Sequence, residues 1–426
     1  MEYSEKYLHL GESVDPDSHV ICVYKIKTDL PIKTAAAAIA TEQSTGTWTS
    51  ISTLKDDVFQ RLSGKVIDIK GRLATIAFPI EDFSLDIGGV PQILSVIAGN
   101  LFGLEALKGV RLEDVHFPAA IVKEFKGPKF GVEGMRRILK RPEKPLIGTI
   151  VKPKIGLSPK EMAMYVYEAG MGGLTNSKDD ETLVNQKFCP LEDRVVAIAE
   201  ALDRVKSESG HVIIHAINIS TRSDKIVEIA ERVQELGASE IMIDVLTCGF
   251  AAVQAVAEDP SIKVPIHVHR TMHAAMTRNK DHGIAMKPLA RLVRMCGGDA
   301  LHIGTFGVGK MKGSPREDLE SQAACSEEFF GLKSLVSVCS GGVYPALVPE
   351  LMKIAGNDIQ IQAGGGVAGH PLGVRAGAIA MVQAVDAAFH GIPLEEYAVD
   401  HLELREALKR WGKNETQGEV HRYGHG

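Results

Sequence analysis

PLIGTIVKPKIGLSPKEMAMYVYEAGMGGLTNSKDDE, residues 145 to 181, holds a short β-prone run, a turn, a longer stretch of helical periodicity and a second short run ending in charge. PLIGTIV reads as a strand, PKEMAMYVYEAG as a helix stopping at glycine, and MGGLTNS as the next strand. The turn between strand and helix decides between two architectures. An open doubly wound sheet wants a glycine-rich dinucleotide turn after its first strand, and KPKIGLS does not supply one.

Outward from this unit the theme repeats. HVIIHAINI, EIMIDVL, PIHVHR, ALHIGT, LVSVCS and IQIQAGGG bring the strand candidates to eight. Between them lie helix candidates such as LEDRVVAIAEALDRVKS, DKIVEIAERVQELG, KPLARLVRMCGG and ALVPELMKIAGN, several ending at glycine as a left-handed C-cap requires. Eight strand–helix units predict a closed (β/α)8 TIM barrel, with parallel strands joined by crossovers, over residues 128–426. Its end, from about residue 395, reads as helical and then frayed over the tail HRYGHG. Residues 1–127 do not repeat the theme: VICVYKIK and KVIDIKGRLATIAFPI read as strands, TAAAAIATEQS and VPQILSVIAGNLFG as helices. The expected class is α/β, a barrel preceded by a smaller N-terminal α+β domain of ferredoxin-like type.

Composition narrows the function. Apolar residues make up 45% of the 426 and charged residues 24%, as in an ordinary globular protein. No apolar run is long enough to cross a bilayer, and MEYSEKYLHL lacks the order of a signal peptide, so a cytoplasmic location is expected. The net charge of −6 speaks against nucleic-acid or anionic-membrane partners, while leaving room for a local cluster of cations around a phosphorylated ligand. Six scattered cysteines show no spacing for zinc or a redox dithiol.

In such a barrel the active site lies where strands end and the following loops begin. Those ends carry Lys152 and Lys154; Lys178, Asp180 and Glu181; Asn218; Asp244; His269, Arg270 and His273; His302; Ser340, Gly341 and Gly342; and Gly364, Gly365 and Gly366. Taken alone, the run KDDE would be a solvated helix start and each glycine run a turn. Their convergence on one mouth points to a binding site, because buried polar groups are costly. SGG and AGGG can offer backbone N–H groups to one phosphate, and Arg270 with His302 can bind a second, which suggests a bisphosphate. Lys178 near Lys152 and Lys154 would favour the neutral amine, which can add carbon dioxide. The resulting carbamate, with Asp180 and Glu181, could give three oxygens to magnesium, which would stabilise an enediolate. GTFGVGKMKG, Gly304 to Gly313, looks like a lid carrying Lys310 near its tip.

With these residues in order, KPKIGLS, KDDE, HVHRTMH, the HIGT strand with its glycine-lysine loop, SGG and AGGGVAGHP, the chain resembles the large subunit of ribulose-bisphosphate carboxylase/oxygenase (RuBisCO) from about residue 20 to 412. The resemblance implies carboxylation of ribulose 1,5-bisphosphate by carbon dioxide to two 3-phosphoglycerates, with oxygen competing for the same enediolate. It implies Lys178, carbamylated, with Asp180 and Glu181 as ligands of a magnesium cofactor. Lys152 would move the protons of enolisation and of the last step, with Lys154 beside it. His269 would be the base for hydration and Lys310 would stabilise the incoming carboxylate. Arg270, His302, Ser340, Gly341, Gly342, Gly364 and Gly365 would bind substrate.

TEQSTGTW resembles the segment supplying Glu42, a catalytic residue, with Thr47 and Trp48, and AGNLFG the one supplying Asn100. In the family these complete a neighbouring subunit's site, so the expected unit is a head-to-tail homodimer, or an oligomer of dimers, with shared active sites. The loop TFGVGK is one residue longer than in plant-type enzymes and is most like the archaeal type III group, which works without a small subunit. Two further departures are Thr175–Asn176, where many members carry an acidic then an aromatic residue, and Ile150, where threonine is common. A RuBisCO-like enolase or isomerase acting on another sugar phosphate is the alternative activity. The sequence leaves the pathway open between nucleotide salvage and a carbon-fixing cycle.

Overall fold

The computed structural model describes residues 5–47, 49–309 and 313–412. The chain begins with an antiparallel sheet. Strands β1 (His19–Lys27), β2 (Lys65–Lys70), β3 (Leu73–Pro79) and β4 (Gly109–His116) lie in the order β4-β1-β3-β2, with the helices Ile32–Glu42 and Gly89–Ala98 in the two crossovers. That is the ferredoxin-like arrangement. The alanine run of helix Ile32–Glu42 explains its close packing: Ala35 to Ala40 are all buried, and small side chains let the helix lie near the sheet. Strand β4, GVRLEDVH, was not among the sequence's strand candidates; three charged residues break its apolar pattern, although Arg111 is buried and Glu113 and Asp114 are half-buried.

The second part is a closed barrel of eight parallel strands: β5 (Leu146–Ile150), β6 (Asn176–Lys178), β7 (Ile214–Asn218), β8 (Glu240–Asp244), β9 (Ile266–His269), β11 (Ala300–His302), β12 (Val336–Ser340) and β13 (Ile359–Gln362). Pairing of β13 with β5 and of β9 with β11 closes the ring. The strand expected at MGGLTNS is shorter than its reading. Met171 ends the preceding helix and Gly173, at φ 89°, turns the chain, so only Asn176–Lys178 pairs. The helix Gly131–Leu139 caps the barrel floor, where Met135 and Leu139 pack with Leu146, Ile214, Ala300, Val336 and Val338.

A two-residue strand, β10 (Gly283–Ile284), leaves the barrel region and pairs in parallel with β4, extending the N-terminal sheet to five strands. Charge pairs strengthen this junction. Asp281 takes Arg72 at 2.9 Å and Lys25 at 3.2 Å, and Asp114 takes Arg291 at 2.5 Å together with Lys287. The C-terminal stretch expected to be helical forms Leu394–Tyr397 and Leu402–Trp411, while the tail HRYGHG lies outside the described residues. Among the described residues no helix is long and apolar enough to cross a membrane.

Candidate active site

Parallel register brings the strand ends to one rim. Ile150 sits opposite Lys178, and Asp244 opposite His269. Lys178 is the most enclosed of these charges. Its side chain is only 2% exposed, its Nζ donates to the Asp179 carbonyl oxygen at 2.8 Å, and Glu181 Oε2 lies 3.8 Å away. Burial pushes this amine below the ordinary lysine range, against the pull of Glu181, Asp180 and Asp244. The direction is the expected one, but the cause is not. Desolvation favours the neutral form, and Lys152 and Lys154 are not among its leading causes.

Lys152 instead turns to a carboxylate, its Nζ donating to Asp180 Oδ2 at 3.2 Å. The other oxygen of Asp180 accepts the Thr182 N–H at 3.2 Å and hydroxyl at 2.9 Å, and the carboxyl is held below its usual range by these donors and Lys152, against desolvation. Gly364 leaves room for this lysine: a Cβ there would stand 3.3 Å from Lys152 Cε and 3.5 Å from Ile150 Cδ1. Ile150 thus packs beside Lys152.

Asp179, the third carboxylate of the run, faces away from the mouth. Its Oδ2 accepts Arg194 Nε at 3.1 Å and the Asn218 N–H at 2.9 Å, and its Oδ1 lies 3.0 Å from His215 Nε2. Ser177 Oγ holds the other ring nitrogen of His215 at 2.8 Å. Asn218 also donates to the carbonyl oxygens of Asp180 at 3.2 Å and Glu181 at 3.0 Å. This buried frame fixes the backbone from which Asp180 and Glu181 project. Sequence reading missed Arg194 and His215, whose only signal is polarity at buried positions of a helix and a strand.

On the opposite side, the backbone N–H of Thr271 donates to His269 Nδ1 at 3.1 Å, so Nε2 is the ring atom facing Glu181 Oε2 at 3.8 Å. Burial holds this imidazole well below its ordinary range. Asp244 Oδ1, 3.4 Å from His269 Nδ1, belongs to a carboxyl that burial raises to about 6. Arg270 makes no ion pair among the described residues, and burial lowers its guanidinium to about 10, opposed by Asp318. His302 is more enclosed than its expected role implies. Its Nε2 lies 2.8 Å from His267 Nε2 and its Nδ1 2.6 Å from Ser340 Oγ, so both ring nitrogens have protein partners. In this arrangement Ser340, not His302, faces the mouth.

The glycine runs lie where the sequence puts them. Gly341 and Gly342 follow β12 at φ 124° and 80°, and Gly365 begins a helical turn, whose first N–H groups lack intrahelical acceptors. The loop after β11 approaches this rim closely: a Cβ at Gly309 would lie 2.4 Å from the Gly341 carbonyl oxygen. Asp318 Oδ2 anchors its base through the Phe306 N–H at 2.8 Å. Lys310 and Trp48 lie outside the described residues.

Glu42, Thr47 and Asn100 belong to the N-terminal domain. Glu42 ends the helix Ile32–Glu42, Asn100 opens the 3-10 turn Asn100–Gly103, and Thr47 Oγ1 donates to the Thr49 carbonyl oxygen at 2.6 Å. Gln43 joins the two segments: its Nε2 donates to the Val96 carbonyl oxygen at 2.5 Å and its Oε1 accepts the Leu101 N–H at 3.1 Å. Thr175 and Asn176 are used within the barrel wall. Thr175 Oγ1 accepts the Ile147 N–H at 2.9 Å and donates to Asn176 Oδ1 at 2.7 Å.

Among the described residues no three His, Cys, Asp or Glu side chains cluster to hold a metal. Two carboxylates and one carbamylated lysine would make an oxygen set of a different kind. Lys178, enclosed beside Asp180 and Glu181 and favouring its neutral amine, fits that set.

The family models for the ribulose bisphosphate carboxylase large chain match twice, the N-terminal domain over residues 7–121 and the catalytic domain over residues 131–411. The chain belongs to the RuBisCO large-chain family. A ribulose bisphosphate carboxylase from Methanocaldococcus jannaschii is 44% identical over 400 residues, 88% of this chain and 93% of the relative. One from Pyrococcus abyssi is 39% identical over 417 residues, 97% of each. The octameric RuBisCO of Pyrococcus horikoshii superposes with a TM-score of 0.91 at 38% identity, covering 96% of this chain and 97% of that one. The dimeric archaeal RuBisCO of Hyperthermus butylicus gives 0.87 at 37%, covering 96% and 99%. These relatives are archaeal, as the long loop after β11 suggested.

Proposed function

We propose that this chain carboxylates D-ribulose 1,5-bisphosphate to two molecules of 3-phosphoglycerate, with oxygen competing for the same enediolate, as a type III enzyme without a small subunit. The observation that carries the reading is the enclosed Lys178, with its amine held toward the neutral form between two carboxylates. A neutral amine can attack carbon dioxide: the N–C bond forms, a proton leaves the nitrogen, and a carbamate oxygen replaces the cation. Lys178 in this form, with Asp180 and Glu181, would hold magnesium, a hard cation that takes oxygen ligands. When bound, magnesium would polarise the substrate ketone and acidify the adjacent C–H.

The chain's own groups supply the rest. Lys152, 3.2 Å from Asp180 Oδ2, is the proton carrier nearest the ligand set. His269, kept neutral by burial, is the base for hydration. Arg270 takes one phosphate through charge-assisted hydrogen bonds, and the N–H groups of Gly341, Gly342, Gly364 and Gly365 take the other. Lys154 and Ser340 bind the substrate between them, and Lys310 stabilises the incoming carboxylate. Glu42, Thr47, Trp48 and Asn100 reach the site of a second protomer, making a homodimer or an oligomer of dimers with shared sites. Dimeric and octameric structural neighbours support that assembly.

The test is incorporation of labelled carbon dioxide into acid-stable product from ribulose 1,5-bisphosphate, with magnesium and bicarbonate under anaerobic conditions. Label in 3-phosphoglycerate is expected. The Lys178→Ala variant should lose it by about a thousandfold or more, since a metal centre contributes several kcal/mol to the barrier. No label from folded, dimeric, activated protein would overturn the reading and bring the enolase alternative forward.

A further inference from the structure

Beneath the mouth, the barrel interior holds a carboxylate that the proposed chemistry does not use. Glu240 opens β8 and, two and four residues before Met242 and Asp244, faces the same way as they do. It is 0% exposed, and neither carboxylate oxygen has a hydrogen-bond partner among the described residues. Leaving a buried charge without donors is costly, and barrel interiors are ordinarily filled with branched apolar residues.

What faces Glu240 is a ring. His267, on β9, is also 0% exposed, and its Nδ1, with no hydrogen-bond partner among the described residues, lies 3.6 Å from Glu240 Oε1. From there the contacts shorten. His267 Nε2 lies 2.8 Å from His302 Nε2, and His302 Nδ1 lies 2.6 Å from Ser340 Oγ. The line Glu240, His267, His302, Ser340 therefore runs from the floor of the barrel to its mouth.

Each link restricts the next. An ionised carboxylate only accepts, and its charge favours an N–H over a lone pair on the nitrogen that faces it. A neutral His267 protonated on Nδ1 presents a lone pair at Nε2. His302 must then donate from its own Nε2, which leaves its Nδ1 as an acceptor, and the Ser340 hydroxyl must donate inward to it. Burial keeps the His302 ring neutral, as this order requires. The other charged groups near the line do not undo it. Asp299 is occupied by three backbone N–H groups, of Phe130, Gly131 and Ile266, and Asp244 and Lys178 lie toward the mouth.

We propose that Glu240 is a positioning residue: it sets the proton order of the His267–His302–Ser340 line, so that Ser340 turns its lone pairs to the mouth. Ser340 then accepts from a hydroxyl of a polyol phosphate substrate instead of donating to a phosphate oxygen. The identity of that substrate rests on the function proposed above; the proton order does not.

The experiment separates the two. Wild type, Glu240→Met and Glu240→Gln are labelled with 15N-histidine, and the ring signals are assigned with His267→Gln and His302→Gln. In the metal-free wild type, His267 is expected as the Nδ1–H tautomer and His302 as the Nε2–H tautomer. In Glu240→Met, which keeps an unbranched chain of similar length, both rings should become tautomer mixtures. The KM for ribulose 1,5-bisphosphate should rise about tenfold, the worth of one hydrogen bond, with a smaller change in kcat. Should the methionine variant fail to fold, Glu240→Gln, uncharged and of the same shape, carries the same expectation for the tautomers. Unchanged tautomers in a folded variant would overturn the proposal, as would the Nε2–H form of His267 in the wild type. A wild type with the expected tautomers but no carboxylation would refute the function and leave the proton order standing.

Discussion

Two carboxylates of this barrel are equally hidden from water and differ in everything around them. Asp179, behind the mouth, receives Arg194, the Asn218 N–H and His215. Glu240, on the floor, receives no hydrogen bond among the described residues and has one ring 3.6 Å away. A buried charge surrounded by donors fixes the backbone that bears it, as Asp179 fixes the segment bearing Asp180 and Glu181. A buried charge left with one weak partner does little for the fold, and its effect falls on that partner. Burial alone therefore does not tell a structural carboxylate from one that orders a site; the number of its donors does.

The sharpest way to break this comparison is to remove one partner from each carboxylate's surroundings. Arg194→Met leaves Asp179 buried without its counter-charge and should cost about 3–5 kcal/mol of stability. Urea denaturation would read this as a lower midpoint at unchanged slope. Adding Asp179→Asn to the same chain should restore part of the loss, because the two residues act as a pair. Glu240→Met removes a buried carboxyl that has no donors, and its midpoint should stay level or rise. If both variants lose equal stability, the distinction between frame and floor fails.

Much of this contrast lay beyond sequence reading, for a physical reason. Strand ends were legible because period 2 and glycine stops mark where each strand meets its loop, and this led directly to Lys152, Lys178, His269 and Ser340. The orientation of each carboxylate in the run KDDE was not, because it depends on Arg194, fifteen positions along the chain, and on His215 from the next strand. Glu240 is the first residue of the strand candidate EIMIDVL, and nothing in the sequence marks its enclosure. The cause assigned to Lys178 failed in the same way: sequence shows neighbouring charges but not enclosure, and enclosure governs that amine. The strand β10 and the enclosure of His302 likewise depend on contacts between distant segments.

Acid offers a second, smaller test, because the mouth and the frame titrate in different windows. His269, His273 and His302 are all held below the ordinary imidazole range by burial, His273 at about 3. Below about pH 6.5 the unfolded chain takes up protons on these rings and the folded chain does not, so stability falls as pH falls. Each ring can contribute at most about 1.4 kcal/mol per pH unit. Asp244 and Asp299, each raised to about 6 by burial, and Asp82, raised to about 7, oppose this, since their folded carboxyls are protonated first. Asp179, held below its usual range chiefly by Arg194 against desolvation, contributes stability that is present above about pH 4 and lost only below it. The share of one ring is therefore read as a difference: the thermal midpoint of metal-free His273→Gln, relative to wild type, should rise as pH falls from 7 to 5. A difference that stays constant over this range would mean that this ring is not enclosed as described.

The smallest expected effect carries the rule out of the barrel. Gln43 is a buried polar side chain of the N-terminal domain with its hydrogen-bonding groups engaged, to the carbonyl oxygens of Ser95 and Val96 and to the Leu101 N–H. By the reasoning applied to Asp179, it should fix the backbone around it, here the segments bearing Glu42 and Asn100. Gln43→Ala should cost about 1–2 kcal/mol, because it leaves buried backbone groups without partners. If Glu42 and Asn100 act together on a second protomer's substrate, the variant's kcat/KM should also fall, by about fivefold to thirtyfold at this energy. Its barrel should be untouched, so carbon dioxide uptake by the variant should match that of the wild type. A stability loss with unchanged kcat/KM would show that Gln43 supports its own domain alone, and that the two segments need no common anchor to complete a neighbouring site.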